Sequence, residues 1–283
     1  MDVNEEANNT QSIDFFHKLR HKKSELLVNE LQNFINTKFT DICEESKNIN
    51  MIAIAFQDFI SKMITEFAKI WKIEFTNNRA AYSEICEGFE SLITKSLYYH
   101  LMNYFADEKK IEKLYRKYSF LNLKHLGFDF ILDEFDLVTQ LKRMIQIFNN
   151  FYFNTTDFIE ITNFKSPKEK SFTLLNLCNY YSCKYNLNEK FAMIKFLVFC
   201  FLKANVPNLM SHLKFIALFR HKTNYSSEED YICSLAIQAV EFIEKMNFNL
   251  LKISKEEFTS YLDEYEKKEF LKSPQKTPGK YTQ

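Results

Sequence analysis

Apolar residues recur along most of this chain at helical spacing. Leu27, Leu31, Phe34 and Ile35 fall at i, i+4, i+7 and i+8, the spacing that gathers side chains on one helix face. A longer stripe follows in Ile52, Phe56, Phe59, Ile60, Met63, Phe67, Ile70 and Trp71, and a third in Ile85, Phe89, Leu92, Ile93, Leu97, Leu101 and Tyr104. Stripes of this length predict helices that bury one face on each other. Residues 13–118 therefore read as a helical bundle. The periodicity breaks over 122–135, which contains Gly127, and returns with Leu137, Leu141, Met144, Ile145 and Phe148. Ser166-Pro167-Lys168-Glu169 joins an N-cap serine, a proline at the first helical position and a glutamate three residues after the cap. That capping box predicts a helix start, and Leu174, Leu177, Cys178 and Tyr181 follow it on one face. Ser254 to Glu257 repeats the box ahead of Phe258, Tyr261, Leu262 and Tyr265.

The densest apolar run is Phe191–Leu202, interrupted by Lys195. A spanning helix needs about 20 apolar residues. This run is shorter and charged, so it predicts a helix buried on most sides, with Asn188 as its cap and Pro207 in the first turn of the next helix.

Composition narrows the class to all-α. Only three glycines occur, Gly88, Gly127 and Gly279. Phosphate-cradling loops, dinucleotide fingerprints and tight hairpins need glycine where φ is positive or a ligand approaches the backbone, so those readings are excluded. Lys+Arg and Asp+Glu are both 37, which leaves the formal net charge at zero. That gives no global electrostatic case for nucleic acid, and the lysines interleaved with glutamates read as solvated helix faces. The six cysteines, Cys43, Cys86, Cys178, Cys183, Cys200 and Cys233, form no Cys-x-x-Cys pair. Most fall in helical patterns as small hydrophobes, which suits a reducing, cytoplasmic compartment. The polar, acidic MDVNEEANNTQS start does not resemble a secretory signal. His17 and His21 are one turn apart but lack a third ligand, so no metal is expected. No serine sits in a Gly-x-Ser-x-Gly elbow. No cofactor and no covalent chemistry are called for. Ser273-Pro274 and Thr277-Pro278 in the tail are candidate proline-directed phosphorylation sites.

Several blocks of the second half carry a family pattern. NFKSPKEKSFTLLNLC resembles a Lys-Ser-Pro-x-x-Lys helix start. LVFCFLKANVPNLMSHLKFIALFR resembles an apolar helix followed by Lys-Ala-Asn-Pro-Pro, a Leu-x-Ser and a helix ending near an aromatic and Arg. SEEDYICSLAIQAVEFIEKM resembles a Gly-Glu-x-x-Tyr-x-x-Thr segment and an Ala-Val-x-Phe-Ile helix, and LNLKHLGF resembles a His-Leu entry segment. In order and spacing these blocks resemble the vacuolar-protein-sorting-nine (VPS-nine) domain of Rab guanine-nucleotide exchange factors. The resemblance implies an N-terminal helical bundle packed against an all-helical VPS-nine-like domain. The expected layout is a disordered N-terminus over 1–12, the bundle over 13–118, the domain over 119–250, a C-terminal helix over 251–271 and a disordered tail over 272–283.

It also implies a function: promotion of GDP release from an early-endosomal Rab-type GTPase, with no transmembrane segment and with peripheral endosomal association through partners. In that family an acidic finger displaces magnesium and competes for the GTPase's phosphate-binding lysine, while a tyrosine and a threonine contact its switch regions. Ungapped counting puts the tyrosine on Tyr231 and the threonine on Ser234, which keeps the hydroxyl. The family aspartate falls on Phe191 and the family proline on Lys195. The nearest acid is Glu189. It lies two residues, about 200°, around a helix from Phe191, and serves only if the helix starts later or the alignment holds a gap. Asn205, in Lys203-Ala204-Asn205, completes the implied GTPase-binding set. One face of the apolar helix is expected in the core and the other along the GTPase groove. The alternative is a Rab-binding scaffold that has lost the finger.

Overall fold

The computed structural model describes residues 14–76, 78–105, 109–128, 165–206 and 208–272. The described residues are all-α, in eleven helices: α1 Phe15–Arg20, α2 Glu25–Asn33, α3 Phe39–Ser46, α4 Ile49–Trp71, α5 Arg79–Met102, α6 Lys109–Lys117, α7 Pro167–Tyr185, α8 Lys190–Ala204, α9 Leu209–Phe219, α10 Ser227–Glu244 and α11 Lys255–Lys272. The helix expected around Leu137–Phe148, the two termini and their phosphorylation sites, and the position of Pro207 lie outside the described residues.

Side-chain caps explain many of the boundaries. Asn48 and Asn78 accept from Asn50 and Ala81 N–H at the starts of α4 and α5, satisfying donors that a helix start leaves open. The Ser166 box is present with both arms at 3.3 Å. The expected Ser254 box shows the arm from Glu257 N–H to Ser254 Oγ, 3.1 Å. A box at Ser226–Glu229, which periodicity did not reveal, opens α10. Asn188 does not cap α8; the N-cap is Glu189, in extended backbone. With glycine so scarce, asparagine takes left-handed positions: Asn186 and Asn205 end α7 and α8, and Asn208 precedes α9. Asparagine tolerates that conformation better than most residues.

Two cores form, and α9 belongs to both. The first gathers Phe34, Phe56, Ile60, Phe67, Phe89 and Ile93 from the N-terminal helices. Gly88 lets the Phe15 ring lie directly on α5, where any Cβ would collide with it. The second core takes Tyr115 and Tyr118 from α6 and its following turn, Leu174 and Tyr181 from α7, most of α8 and the inner face of α10. Leu209, Leu213 and Ile216 of α9 enter this second core, while Phe215 and Phe219 enter the first. Phe219 packs edge-on against Phe56, with centroids 5.1 Å apart. The bundle and the C-terminal unit are thus joined through a shared wall.

The apolar run resolves as expected of a buried helix. Every residue of α8 from Phe196 to Leu202 is buried, and no described helix is long and apolar enough to cross a membrane. Five of the six cysteines are buried, Cys183 being exposed.

Candidate functional site

The predicted site residues fall on α8 and α10 or, for Glu189 and Asn205, at the two ends of α8, and these two helices pack closely on each other. Tyr231 and Ser234 lie one turn apart in the first half of α10, on the face opposite buried Ile232, Cys233, Leu235 and Ala236. Tyr231 is 49% exposed. Ser234 is exposed too, and its Oγ accepts from Gln238 Nε2 at 3.0 Å. Phe191 stands in the first turn of α8 and is 75% exposed, although the helix behind it is buried on nearly all sides.

Glu189 is exposed and precedes the helix, with φ −87 and ψ 137 and no side-chain cap hydrogen bond. The helix therefore starts after it, and the 200° rotation that would set Glu189 opposite Phe191 does not apply to extended backbone. A carboxylate there is also favoured by the positive end of the helix dipole. Lys195 is half-buried. Its Nζ points at the 123–127 turn, 3.9 Å from where a Cβ on Gly127 would stand. Gly127 has φ +94, which the turn requires. That turn is tied down by Lys252 N–H donating to His125 O at 2.7 Å. Asn205 sits at the other end of α8, about 21 Å from Phe191 by helix rise. Its left-handed conformation (φ 46, ψ 51) accounts for asparagine there. The helices thus bring Tyr231 and Ser234 together but hold Asn205 well away from Phe191.

The structure adds rings that the sequence reading missed. Phe172 and Tyr180 on α7 are exposed, and α7 packs against α10. Their signal was present in the sequence: both lie off the Leu174, Leu177, Cys178 and Tyr181 stripe.

A polar cluster joins this unit to the bundle. Arg220, 3% exposed, ends α9. Its Nη1 donates to both oxygens of Glu90 on α5 at 3.1 Å, and its Nη2 donates to Asn224 O at 3.0 Å. Its Nε lies 3.5 Å from Glu229 and its Nη2 3.6 Å from Glu87. His221 N–H donates to Glu90 at 2.7 Å, and Ser171 Oγ to Glu229 at 2.6 Å. Burial pushes the Glu90 carboxyl up to about 7, against the opposing pull of Arg220 and the His221 N–H. Burial also pushes Glu229 up, but the hydrogen bonds from Ser171 and Ser226 and the charge of Arg220 outweigh it, and its carboxyl lies below the usual range. For Arg220, burial opposes the charge, but the surrounding carboxylates prevail and hold the guanidinium more firmly protonated. The arrangement is a structural clamp. Glu90 was detectable in sequence only as an acid beside an apolar stripe.

A second buried cation lies nearby. Lys170 on α7, 1% exposed, has its Nζ 5.3 Å from the Tyr98 ring of α5. Burial pushes its amine down to about 7. Burial, with Lys170's charge, pushes His212 on α9 down to about 3.

Comparison with known proteins agrees with this architecture. Residues 152–248 match the family model of the Vacuolar sorting protein 9 (VPS9) domain. The chain is 25% identical over 266 residues to Vacuolar protein sorting-associated protein vps901 of Schizosaccharomyces pombe, covering 90% of this chain and 45% of that protein. It is 20% identical over 266 residues to Vacuolar protein sorting-associated protein 9A of Arabidopsis thaliana, covering 88% and 47%. It is 30% identical over 115 residues to the Rab5 GDP/GTP exchange factor of Homo sapiens, covering 38% and 23%. The chain thus spans less than half the length of each of these relatives. In this chain, whose described residues are all-α, the likeness to the VPS9 domain lies over residues 152–248.

Proposed function

We propose that this chain is a guanine-nucleotide exchange factor that promotes GDP release from a Rab-type small GTPase of the early endosome. It would act in the cytoplasm, peripherally at the membrane, with no cofactor of its own. The observation that carries the reading is a set of exposed rings, Phe172, Tyr180, Phe191 and Tyr231, on α7, α8 and α10. Helices whose other faces are so fully packed leave such rings to solvent where a partner covers them. Tyr231 and Ser234 would meet the GTPase. Glu189, before α8 and without a cap bond, would supply the acid that enters the nucleotide site and competes with the β-phosphate. The name Rab5 GDP/GTP exchange factor, carried by one group of relatives, is consistent with this partner.

A second reading rests on Phe191. A phenyl ring at the family's aspartate position cannot coordinate magnesium or pair with a lysine, which favours a scaffold that binds the GTPase without ejecting its nucleotide. Release of a fluorescent GDP analogue, measured across a panel of purified Rab GTPases, separates the two. Faster release with wild type, lost in Glu189→Ala, supports exchange with Glu189 as the finger. Stable GTPase binding without faster release supports the scaffold. Neither binding nor release across the panel overturns both.

A further inference from the structure

The segment FHKLRHKKSEL, residues 16–26, places His17, Lys18, Arg20, His21, Lys22 and Lys23 within seven consecutive positions of a chain with no net charge. It forms α1, a 3-10 turn over Lys22–Ser24 and the start of α2. All six basic side chains are exposed except Lys18, which is half-buried. The acids within 14–26 are Asp14 and Glu25. Asp14 is engaged at the start of α1, where it accepts from His17 N–H at 3.2 Å. Among the described residues no carboxylate is ion-paired with Lys18, Arg20, Lys22 or Lys23. Exposed Lys72, at the end of α4, follows Trp71 directly.

The structure gathers this charge around one ring. The Nζ atoms of Lys18 and Lys23 lie 5.7 and 5.4 Å from the centre of the Trp71 ring. The His21 ring packs edge-on against the Trp71 ring at 5.3 Å, and Trp71 Nε1 donates to Ser24 Oγ at 3.1 Å. Two large apolar side chains stand exposed at the two ends of the run, Phe16 at 48% and Leu26 at 82%. Phe16 and Arg20 are one turn apart on α1 and share a face.

We propose that this α1–α2 corner of the bundle is a contact surface for an anionic lipid bilayer. Lys18, Arg20, Lys22 and Lys23 would meet the headgroups, and Phe16 and Leu26 would enter the acyl boundary. Basic clusters with exposed apolar neighbours suit the interface, where apolar side chains sink below the headgroups while cations stay among them. Nucleic acid fits the corner less well. Trp71 is already covered by two ammonium groups and the His21 ring, so it offers no free face for base stacking, and Phe16 and Leu26 would gain nothing from a phosphate backbone. Each cation near an anionic surface raises partitioning about fivefold, so the four together give several hundredfold over a neutral bilayer. The surface is independent of the exchange reading.

The test uses the full chain with vesicles of phosphatidylcholine alone or with about a third phosphatidylserine. Trp71 is the chain's single tryptophan and serves as the intrinsic reporter beside co-sedimentation. The expected result is at least tenfold stronger binding to the anionic vesicles, weakened by high salt, with a change in Trp71 emission. Arg20→Glu/Lys22→Glu/Lys23→Glu should abolish binding with the helical circular dichroism unchanged. Phe16→Ser/Leu26→Ser should weaken it severalfold while keeping the salt dependence, and this pair decides the matter if the triple variant does not fold. Equal binding to both vesicles, binding kept by the charge-reversed variant, or tighter binding to an RNA oligonucleotide than to vesicles would overturn the proposal.

Discussion

The clamp at Arg220 and the face around Tyr231 violate the usual partition of residues in opposite ways. The first buries charge, with Arg220, Glu90 and Glu229 sealed between bundle and domain. The second exposes rings on helices that have ample core to enter. In the clamp the buried charges are compensated within the chain: Arg220 reaches three carboxylates and a carbonyl, its Nε by an ion pair alone, and the carboxylates draw on Ser171, Ser226 and the His221 N–H. On the Tyr231 side, among the described residues, Phe172, Phe191 and Tyr231 stand exposed. Internally satisfied anomalies are architecture, and uncovered ones point outward to a partner.

The comparison breaks most sharply at Arg220. Arg220→Leu strands two buried carboxylates and should lower unfolding free energy by about 3–5 kcal/mol in urea titrations. Adding Glu90→Leu to it should recover a large part of that loss, because both members of the principal pair are then gone. A loss no larger in Arg220→Leu than in an ordinary surface variant would mean the clamp contributes little.

Lys170 sharpens the same side. Its folded-state amine, about 7, lies below the ordinary 10.5. Between these values the unfolded chain holds a proton that the folded chain does not, so this group's contribution is greatest above 10.5 and is lost as pH falls towards 7. The difference in stability between wild type and Lys170→Met should therefore change by up to about 1.4 kcal/mol per pH unit within that window. It should be flat below it. Chemical denaturation at several pH values checks the slope.

On the outward side, Phe191→Asp restores the acid that the family pattern places there. The site is exposed and lies in the first turn of α8, where an acid suits the dipole. Stability should stay within about 0.5 kcal/mol of wild type, while GDP release, followed by fluorescence, should speed up severalfold. Ser234→Ala should have the smallest effect, slowing release about two- to threefold, since it removes one hydroxyl at a solvated interface.

Much of this was legible in the chain. The Ile52–Trp71 stripe and the Ser166 box announce α4 and α7 because both are local: spacing and capping need only neighbours. The scarcity of glycine pointed to helices, and asparagine at 186, 205 and 208 shows how the chain manages left-handed positions without it. The clamp was not legible. Arg220 and Glu90 are 130 residues apart, and nothing local marks two charges as partners across a fold. The start of α8 was misplaced by one residue, with Asn188 given the cap that Glu189 holds. That single position matters, since it decides whether the Glu189 carboxylate obeys helical geometry. The corner at 16–26 was not singled out in the sequence, where its lysines read as solvated charge, and its gathering around Trp71 depends on packing between α1 and α4, with Phe15 and Phe67 centroids 5.3 Å apart.

The most direct test of the central claim pairs two readings on one variant, Tyr231→Ala. Tyr231 is half exposed, so the unfolding midpoint should barely move, while accelerated GDP release from the responsive Rab GTPase should fall at least tenfold. Unchanged release at unchanged stability would contradict the assignment of this face to the GTPase. A large loss of stability would show instead that Tyr231 belongs to the architecture.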